Sequence, residues 1–271
     1  MSAVIPACET LALRLDGWCL HLTFNRPEVR NALNERMWRE ISGVFSAIEN
    51  DRSIRAVVLR GAGGFFCAGG DMKERATIAL PVEGGEDPMF ARNRMGGRIL
   101  TQIDRAPQAV IAVVEGAAMG GGFGMVCVSD IAFAAADARF RMPEVTLGIP
   151  PAQISPFITR RIGQSQARRL ALTAAPIDGL EAAAIGLVHE VCADVAVLNA
   201  ALAGVLDRMA RCAPEALAET KMLINLVGTV GIEEHLDIAA RSFVKAVRGP
   251  EGREGAAAFR DKRKPDWGEV A

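Results

Sequence analysis

Two glycine-dense loops, each preceded by a run of β-branched and apolar residues, constrain this chain more than any other feature. The first runs Arg55-Ala-Val-Val-Leu-Arg-Gly-Ala-Gly-Gly-Phe-Phe-Cys-Ala-Gly-Gly-Asp71, and the second Val110-Ile-Ala-Val-Val-Glu-Gly-Ala-Ala-Met-Gly-Gly-Gly-Phe-Gly124. Each reads as a buried strand, a glycine turn and a helix start. Glycine lets the backbone aim its N–H groups into a cavity, and a helix N-terminus adds positive potential there. Two such loops facing each other hold one anionic oxygen between two N–H donors, the arrangement that acyl chemistry requires.

Around these loops the pattern is that of an α/β fold. Leu11 to Leu15 and Trp18 to Phe24 alternate apolar and polar residues about Asp16-Gly17, a strong hairpin signal. Pro27 marks a turn. Asn34 to Glu49 has helical spacing, with Met37, Ile41, Val44, Phe45 and Ile48 on one face and Asn34 as a candidate N-cap. Strands follow at Ala56 to Leu59, Val110 to Val114 and Ile131 to Ala135, with helices expected from about Met72, over Phe90 to Ile103 and over Gly122 to Cys127. Leu80 to Pro88 is rich in breakers and is expected to be a mobile surface loop. Strands recurring roughly every 40 to 50 residues between helices indicate parallel pairing. From Ser165 onward the strand signal fades, and Leu198 to Arg211, Pro214 to Leu226 and Ile232 to Arg248 read as helices before a charged tail from Arg253. We expect an α/β core over 1–200, carrying the functional site, and a helical region over 201–271.

Composition excludes several classes. Lys plus Arg is 31 and Asp plus Glu is 32, a net charge of -1, so the electrostatic footprint of a nucleic-acid binder is absent. The six cysteines are scattered, with no C-x-x-C pair, and point to a reducing compartment. No signal peptide is evident and no apolar run approaches the ~20 residues that span a bilayer, so a cytoplasmic protein without membrane contact is expected. No H-E-x-x-H motif or Cys/His ligand set suggests a metal. None of His21, His189 and His235 has a nucleophile placed with it, and there is no G-x-S-x-G elbow. The glycine loops also lack the G-x-G-x-x-G spacing of a dinucleotide site.

The acids near the loops are then the candidates for chemistry. Glu144 lies between two turns, in Phe140-Arg-Met-Pro-Glu-Val-Thr-Leu-Gly148, where it projects into a cleft or serves as a helix-start acid after Pro143. Asp71 is either catalytic or the cap of the helix after the first loop. Glu115 is a weaker candidate, and Asp130 reads as structural.

Together these segments resemble the crotonase superfamily, the enoyl-CoA hydratases and isomerases. Phe24-Asn-Arg-Pro-Glu-Val-Arg-Asn-Ala-Leu33 is similar to its opening coenzyme A segment, Phe66 to Glu74 to its first oxyanion loop, and Val114 to Gly122 to its second. Phe140 to Ile149 is similar to its catalytic acid segment, and Glu254 to Pro265 to its C-terminal tail. The resemblance implies a spiral of ββα turns followed by a helical trimerisation region, in a trimer or a dimer of trimers. It implies that the N–H groups of Gly70 and Gly121 form the oxyanion hole and that Glu144 is the catalytic acid. Ala68 would lie along the adenine, Val29 and Arg30 would line the nucleotide, and Asp71, Met72 and Lys73 would complete the coenzyme A site. Phe259 and Lys262 would reach coenzyme A on a neighbouring subunit. Coenzyme A enters as part of the substrate; no permanently bound cofactor is implied.

One departure matters. Many hydratases of this superfamily place a first glutamate right after the glycine turn, where this chain has Gly124. Glu144 alone then either adds and returns the proton of one water in a hydratase, or shuttles a proton between two carbons in an isomerase. A protein that binds acyl-CoA without catalysis is the remaining alternative. Leu147 to Gly163, with Pro-Pro-Ala-Gln-Ile-Ser-Pro-Phe157, resembles bacterial hydratases of branched glutaconyl-CoA esters, the 3-methylglutaconyl and isohexenylglutaconyl types. The ending Arg-Lys-Pro-Asp-Trp267 resembles the isohexenylglutaconyl type, which acts in acyclic terpene breakdown. Such a substrate carries a second carboxylate that needs a partner. Arg92, Arg94 and Gln153 are the candidates, although both arginines also fit solvated surface positions.

Overall fold

The computed structural model describes residues 4–79 and 85–267. The chain opens with an antiparallel hairpin, β1 (Leu11–Asp16) and β2 (Cys19–Phe24), turned at Gly17 with φ +54°. Helix α1 (Glu35–Ile48) follows. The Asn34 side chain accepts from the Met37 N–H at 2.9 Å, and the five apolar residues expected on one face are buried together with Trp38. Next come β3 (Ala56–Gly61), a short helix α2 (Met72–Arg75), the long helix α3 (Pro88–Arg105), β4 (Ala109–Val114), β5 (Ala117–Met119) and α4 (Gly121–Val128). Then β6 (Ile131–Ala135) and β7 (Arg139–Arg141) lead into a 3-10 turn over Glu144–Leu147.

The second half contains α5 (Ser155–Thr173), β8 (Ile177–Asp178), α6 (Gly179–Ala184) and β9 (Glu190–Cys192). Four helices complete the chain: α7 (Val195–Ala210), α8 (Pro214–Asn225), α9 (Ile232–Arg248) and α10 (Pro250–Arg260). Six strands form one sheet in the order β1-β2-β3-β4-β6-β9, parallel from β2 onward, and β5-β7-β8 form a second. Val57 to Leu59 and Val110 to Val114 are buried along their whole length, as expected of parallel strands covered on both faces.

The structure adds detail where the sequence signal is weak. Past Ser165, where the strand signal fades, β9 is the edge strand of the main sheet, paired with β6 through Phe133↔Glu190, Ala134↔Val191 and Ala135↔Cys192. Three residues are too few for a periodic signal, and the long-range partner makes the strand. The tail from Arg253 is helical as far as Arg260, with Pro250 in the first turn, where its missing N–H costs nothing. The helix after the first loop has only four residues. Of the breaker-rich segment, residues 80–84 lie outside the described residues, and Asp87 caps α3 by accepting from the Met89 N–H at 2.8 Å.

Two aromatic contacts fasten the glycine loops to this frame. Phe66 packs edge-on against Phe24 at 5.4 Å between ring centroids, and Phe123 of α4 against Phe140 of β7 at 6.3 Å. The second contact joins the helix after one loop to the strand that delivers Glu144.

Candidate active site

The two glycine loops run side by side. Phe66 N–H donates to Glu115 O, Cys67 N–H to Ala117 O, and Met119 N–H to Cys67 O, each at 2.9 Å. A second set of bonds ties the first loop to the segment before α1. Leu33 N–H donates to Gly69 O at 2.7 Å, Asp71 N–H to Leu33 O at 3.0 Å, and Ala68 N–H to Arg30 O at 2.9 Å. With its neighbours committed to Leu33 in a parallel bridge, Gly70 turns its own N–H to the opposite side, as alternation along an extended chain requires. Among the described residues that N–H has no backbone acceptor.

Gly121 is the first residue of α4, so its N–H is one of the four that a helix leaves unpaired. Gly120 before it has φ +46° and ψ -111°, a conformation for which glycine is suited. Its N–H donates to Arg141 O at 3.0 Å, which pins the second loop to the end of β7, three residues before Glu144. Leu33 and Trp38 of the opening segment support Gly121 from behind: a Cβ there would lie 2.8 Å from Leu33 Cδ1 and 3.8 Å from Trp38 Cζ2.

Glu144 completes the cluster. Its Oε1 lies 2.8 Å from the point a Cβ on Gly120 would occupy, so the missing side chain of Gly120 makes room for the carboxylate. Its Oε2 is shielded from solvent and has no hydrogen-bond partner among the described residues. Burial pushes the carboxyl above its ordinary pKa, and a backbone N–H of its own residue opposes this more weakly. Gly124, by contrast, is closely packed by Ile154 and Leu100. A Cβ there would lie 2.6 Å from Ile154 Cγ2 and 3.4 Å from Leu100 Cδ1.

The remaining candidates fall into three groups. Arg30 and Ala68 are joined by the bond above, with Val29 closing a 3-10 turn beside them and the Arg30 guanidinium 5.1 Å from the centroid of the Phe65 ring. Asp71 caps α2, accepting from the Lys73 and Glu74 N–H groups at 3.1 and 3.2 Å, and pairs with Arg26 at 3.1 Å. Burial raises its pKa, but the helix amides and Arg26 outweigh this and hold it low, as befits a permanently charged cap. Met72 and Lys73 are exposed on α2. Phe259 is 88% exposed near the end of α10, which packs on α9, and Lys262 is exposed just beyond that helix.

Of the side chains offered for a distal carboxylate, Arg92 is not on the solvated surface. It pairs with Glu74 at 2.9 Å and is 17% exposed. Arg94 does lie exposed on the surface, where its Nη1 donates to Gln153 Oε1 at 3.3 Å. Asp130 is structural, accepting from the Val110 N–H and from Lys221 at 2.7 Å. The acid Glu115 lies 3.7 Å from Arg60. Cys67, fully buried beside the first loop, has its thiol pushed up to about 12 by burial and is no nucleophile at neutral pH. The sequence reading missed Gly120, Ile154 and Trp38. The run Gly120-Gly-Gly signalled a turn, but which glycine faces an acid 24 positions later carried no local signal.

Residues 17–270 match the sequence profile of the enoyl-CoA hydratase/isomerase family. The chain belongs to that family. A crystal structure of an enoyl-CoA hydratase/isomerase from Marinobacter aquaeolei is 52% identical, covers 96% of this chain and 99% of its own, and superposes with a TM-score of 0.93. Pseudomonas aeruginosa AtuE is 50% identical, with coverage of 96% and 99% and a TM-score of 0.92. The Short-chain-enoyl-CoA hydratase of Clostridium acetobutylicum is 34% identical over 258 residues, 94% of this chain and 96% of its own. The mixed α/β architecture with its helical C-terminal region is therefore the crotonase fold. Among the described residues of this family member, no group of three or more His, Cys, Asp and Glu side chains is arranged to hold a metal ion. No helix among them is long and apolar enough to cross a membrane.

Proposed function

We propose that this chain is an enoyl-CoA hydratase, a hydro-lyase using Glu144 as its one catalytic acid, and that its substrate is a branched glutaconyl-type thioester such as isohexenylglutaconyl-CoA. The observation that carries the reading is the Glu144 carboxylate, whose buried Oε2 has no hydrogen-bond partner among the described residues and whose Oε1 is set against Gly120, beside the helix-start N–H of Gly121. A carboxyl whose pKa is raised toward working pH both takes and returns a proton readily. Glu144 takes a proton from water as its oxygen bonds to the β-carbon. The thioester becomes an enolate whose oxygen is held by the N–H groups of Gly70 and Gly121. Glu144 then delivers the proton to the α-carbon, and the acid ends as it began.

Val29, Arg30, Ala68, Met72 and Lys73 are assigned to coenzyme A, with Asp71 holding α2 in place for them. A trimer or dimer of trimers is proposed, supported by the exposed Ile232, Leu236, Phe243, Val244 and Val247 of α9, which no element of the described chain buries. In that assembly Phe259 and Lys262 are assigned to coenzyme A on a neighbouring subunit. The six free cysteines suit the cytoplasm.

Isomerisation is the second reading, favoured by the packing of Gly124 against Ile154, which leaves one carboxylate for the chemistry. Incubation with branched and linear enoyl-CoA esters separates the readings. Hydration removes the ultraviolet absorbance of the conjugated thioester and adds the mass of water, whereas isomerisation leaves the mass unchanged. If neither occurs with any ester, the chain binds acyl-CoA without turning it over.

A further inference from the structure

Gly70 has little to hold it in place. It is exposed, has no side chain, and a Cβ there would meet no atom within 4 Å. The direction of its N–H is therefore set by the bonds on either side, Leu33 N–H to Gly69 O at 2.7 Å and Asp71 N–H to Leu33 O at 3.0 Å. Leu33 reaches Gly121 as well, with its Cδ1 2.8 Å from the Cβ position of that glycine. One buried residue thus touches both glycines, Gly70 through its backbone and Gly121 through its side chain. Any shift of Leu33 moves both N–H groups.

What places Leu33 is Asn31. Its side chain is wholly buried, and each of its polar atoms is bonded. Asn31 Nδ2 donates to Ala62 O at 2.9 Å and to Phe65 O at 2.6 Å, and Oδ1 accepts from the Arg26 N–H at 2.9 Å. The residue has φ +57°, a left-handed conformation that asparagine tolerates better than most residues with a Cβ. Asn31 therefore turns the chain between Arg26 and Leu33 and fastens the turn to the stretch after β3. That stretch is itself fixed to the second loop: Phe66 N–H donates to Glu115 O, and Gly64 O lies 2.2 Å from the Cβ position of Gly116. The Arg26 guanidinium closes the ring by donating to Ala32 O at 2.6 Å and to Asp71 at 3.1 Å. Without the Asn31 side chain, two carbonyls and one N–H lose their partners, and the turn must move to satisfy them.

We infer, on the reading of Gly70 and Gly121 as oxyanion donors proposed above, that Asn31 is the positioning residue of the oxyanion hole. Through Leu33 it sets the distance and angle at which the two N–H groups meet the thioester oxygen. Asn31 itself touches no reacting atom.

The test is the infrared carbonyl stretch of butyryl-CoA, isotope-labelled at its thioester carbonyl and read at saturating ligand, so that weaker binding does not enter. N–H donors that draw charge onto the oxygen weaken the C=O bond and lower its frequency. The band bound to the wild-type chain should lie below that of free butyryl-CoA. Asn31→Gly keeps the left-handed turn without strain and removes the side-chain bonds. Its band should move back toward the free value, and its kcat on an enoyl-CoA should fall about 10²-fold, the cost of a displacement of about 1 Å in a positioned site. Asn31→Asp has the same shape and at most one donor, and its band should fall between the two; if Asn31→Gly does not fold, this variant alone decides. Lys221→Met, which breaks the ion pair between α8 and Asp130, is the control for lost stability. Its Tm should fall while its band stays with wild type. A wild-type band in the Asn31 variants, whatever their rate, overturns the inference, and so does a shift in Lys221→Met as large as theirs. Absence of any displacement in the wild-type chain removes Gly70 and Gly121 as donors and the role of Asn31 with them. Should the bands behave as expected while no enoyl thioester is hydrated, the hydratase reading fails and Asn31 keeps its role.

Discussion

The Glu144 carboxylate occupies the space that a side chain on Gly120 would fill, with Oε1 2.8 Å from the Cβ position. The acid and the second glycine loop therefore form one unit, locked by the Gly120 N–H bond to Arg141 O. Any residue larger than glycine at 120 acts on the acid directly.

Gly120→Ala is accordingly expected to lower both stability and activity. The methyl collides with Glu144 Oε1, and the positive φ adds strain of about 1–3 kcal/mol. A thermal melt and the rate of thioester absorbance loss measure the two effects. A variant with wild-type rate would separate residue 120 from the acid.

Glu144→Gln keeps the shape and removes the proton carrier. Its kcat should fall by about 10²–10⁴, the usual worth of general acid–base catalysis, while affinity for a saturated acyl-CoA changes little. Steady-state rates and calorimetric binding check both halves, and retention of most of the rate would take Glu144 out of the mechanism.

The pH dependence of stability follows from the raised pKa of Glu144. Between the unfolded and the folded pKa the native state binds more protons than the unfolded chain, so this group's contribution to stability is complete at low pH and is lost as pH rises through the folded value. The variant Glu144→Gln lacks that loss. Melts across this window should show its Tm advantage over wild type growing with pH, and a constant offset would contradict the burial. The rate has the opposite slope at its acid end, because only ionised Glu144 accepts a proton from water.

Gly124→Glu should destabilise the fold and not supply a second catalytic acid. The new side chain runs into Ile154 and Leu100, and overpacking of this kind costs about 1–3 kcal/mol before the buried charge is counted. Pairing it with Ile154→Ala opens the space and should recover part of the lost Tm. A rate gain in the single variant would show that the position reaches the site after all.

Much of the fold is written in local patterns. Asp16-Gly17 marks the hairpin, Asn34 the start of α1, and the run Val110 to Val114 a strand buried on both faces. These signals are legible because propensity, capping and periodicity act over a few residues. β9 and α10 were not legible in that way. The first is three residues that become a strand only beside β6, and the second hides its helical spacing among Gly252, Gly255 and charged side chains.

By itself the sequence determined the α/β alternation, the two loops with their surplus of glycine, and one acid in a proline-flanked turn between strand and helix. Only the tertiary structure decided that Gly120 faces that acid, that Ile154 closes off Gly124, and that Arg94 meets Gln153 while Arg92 turns to Glu74. The physical reason is distance along the chain. Hydrogen bonding within a turn or helix depends on neighbours in sequence, whereas the burial that shifts the pKa of Glu144 depends on elements that meet only after the sheet has formed and drawn its loops together.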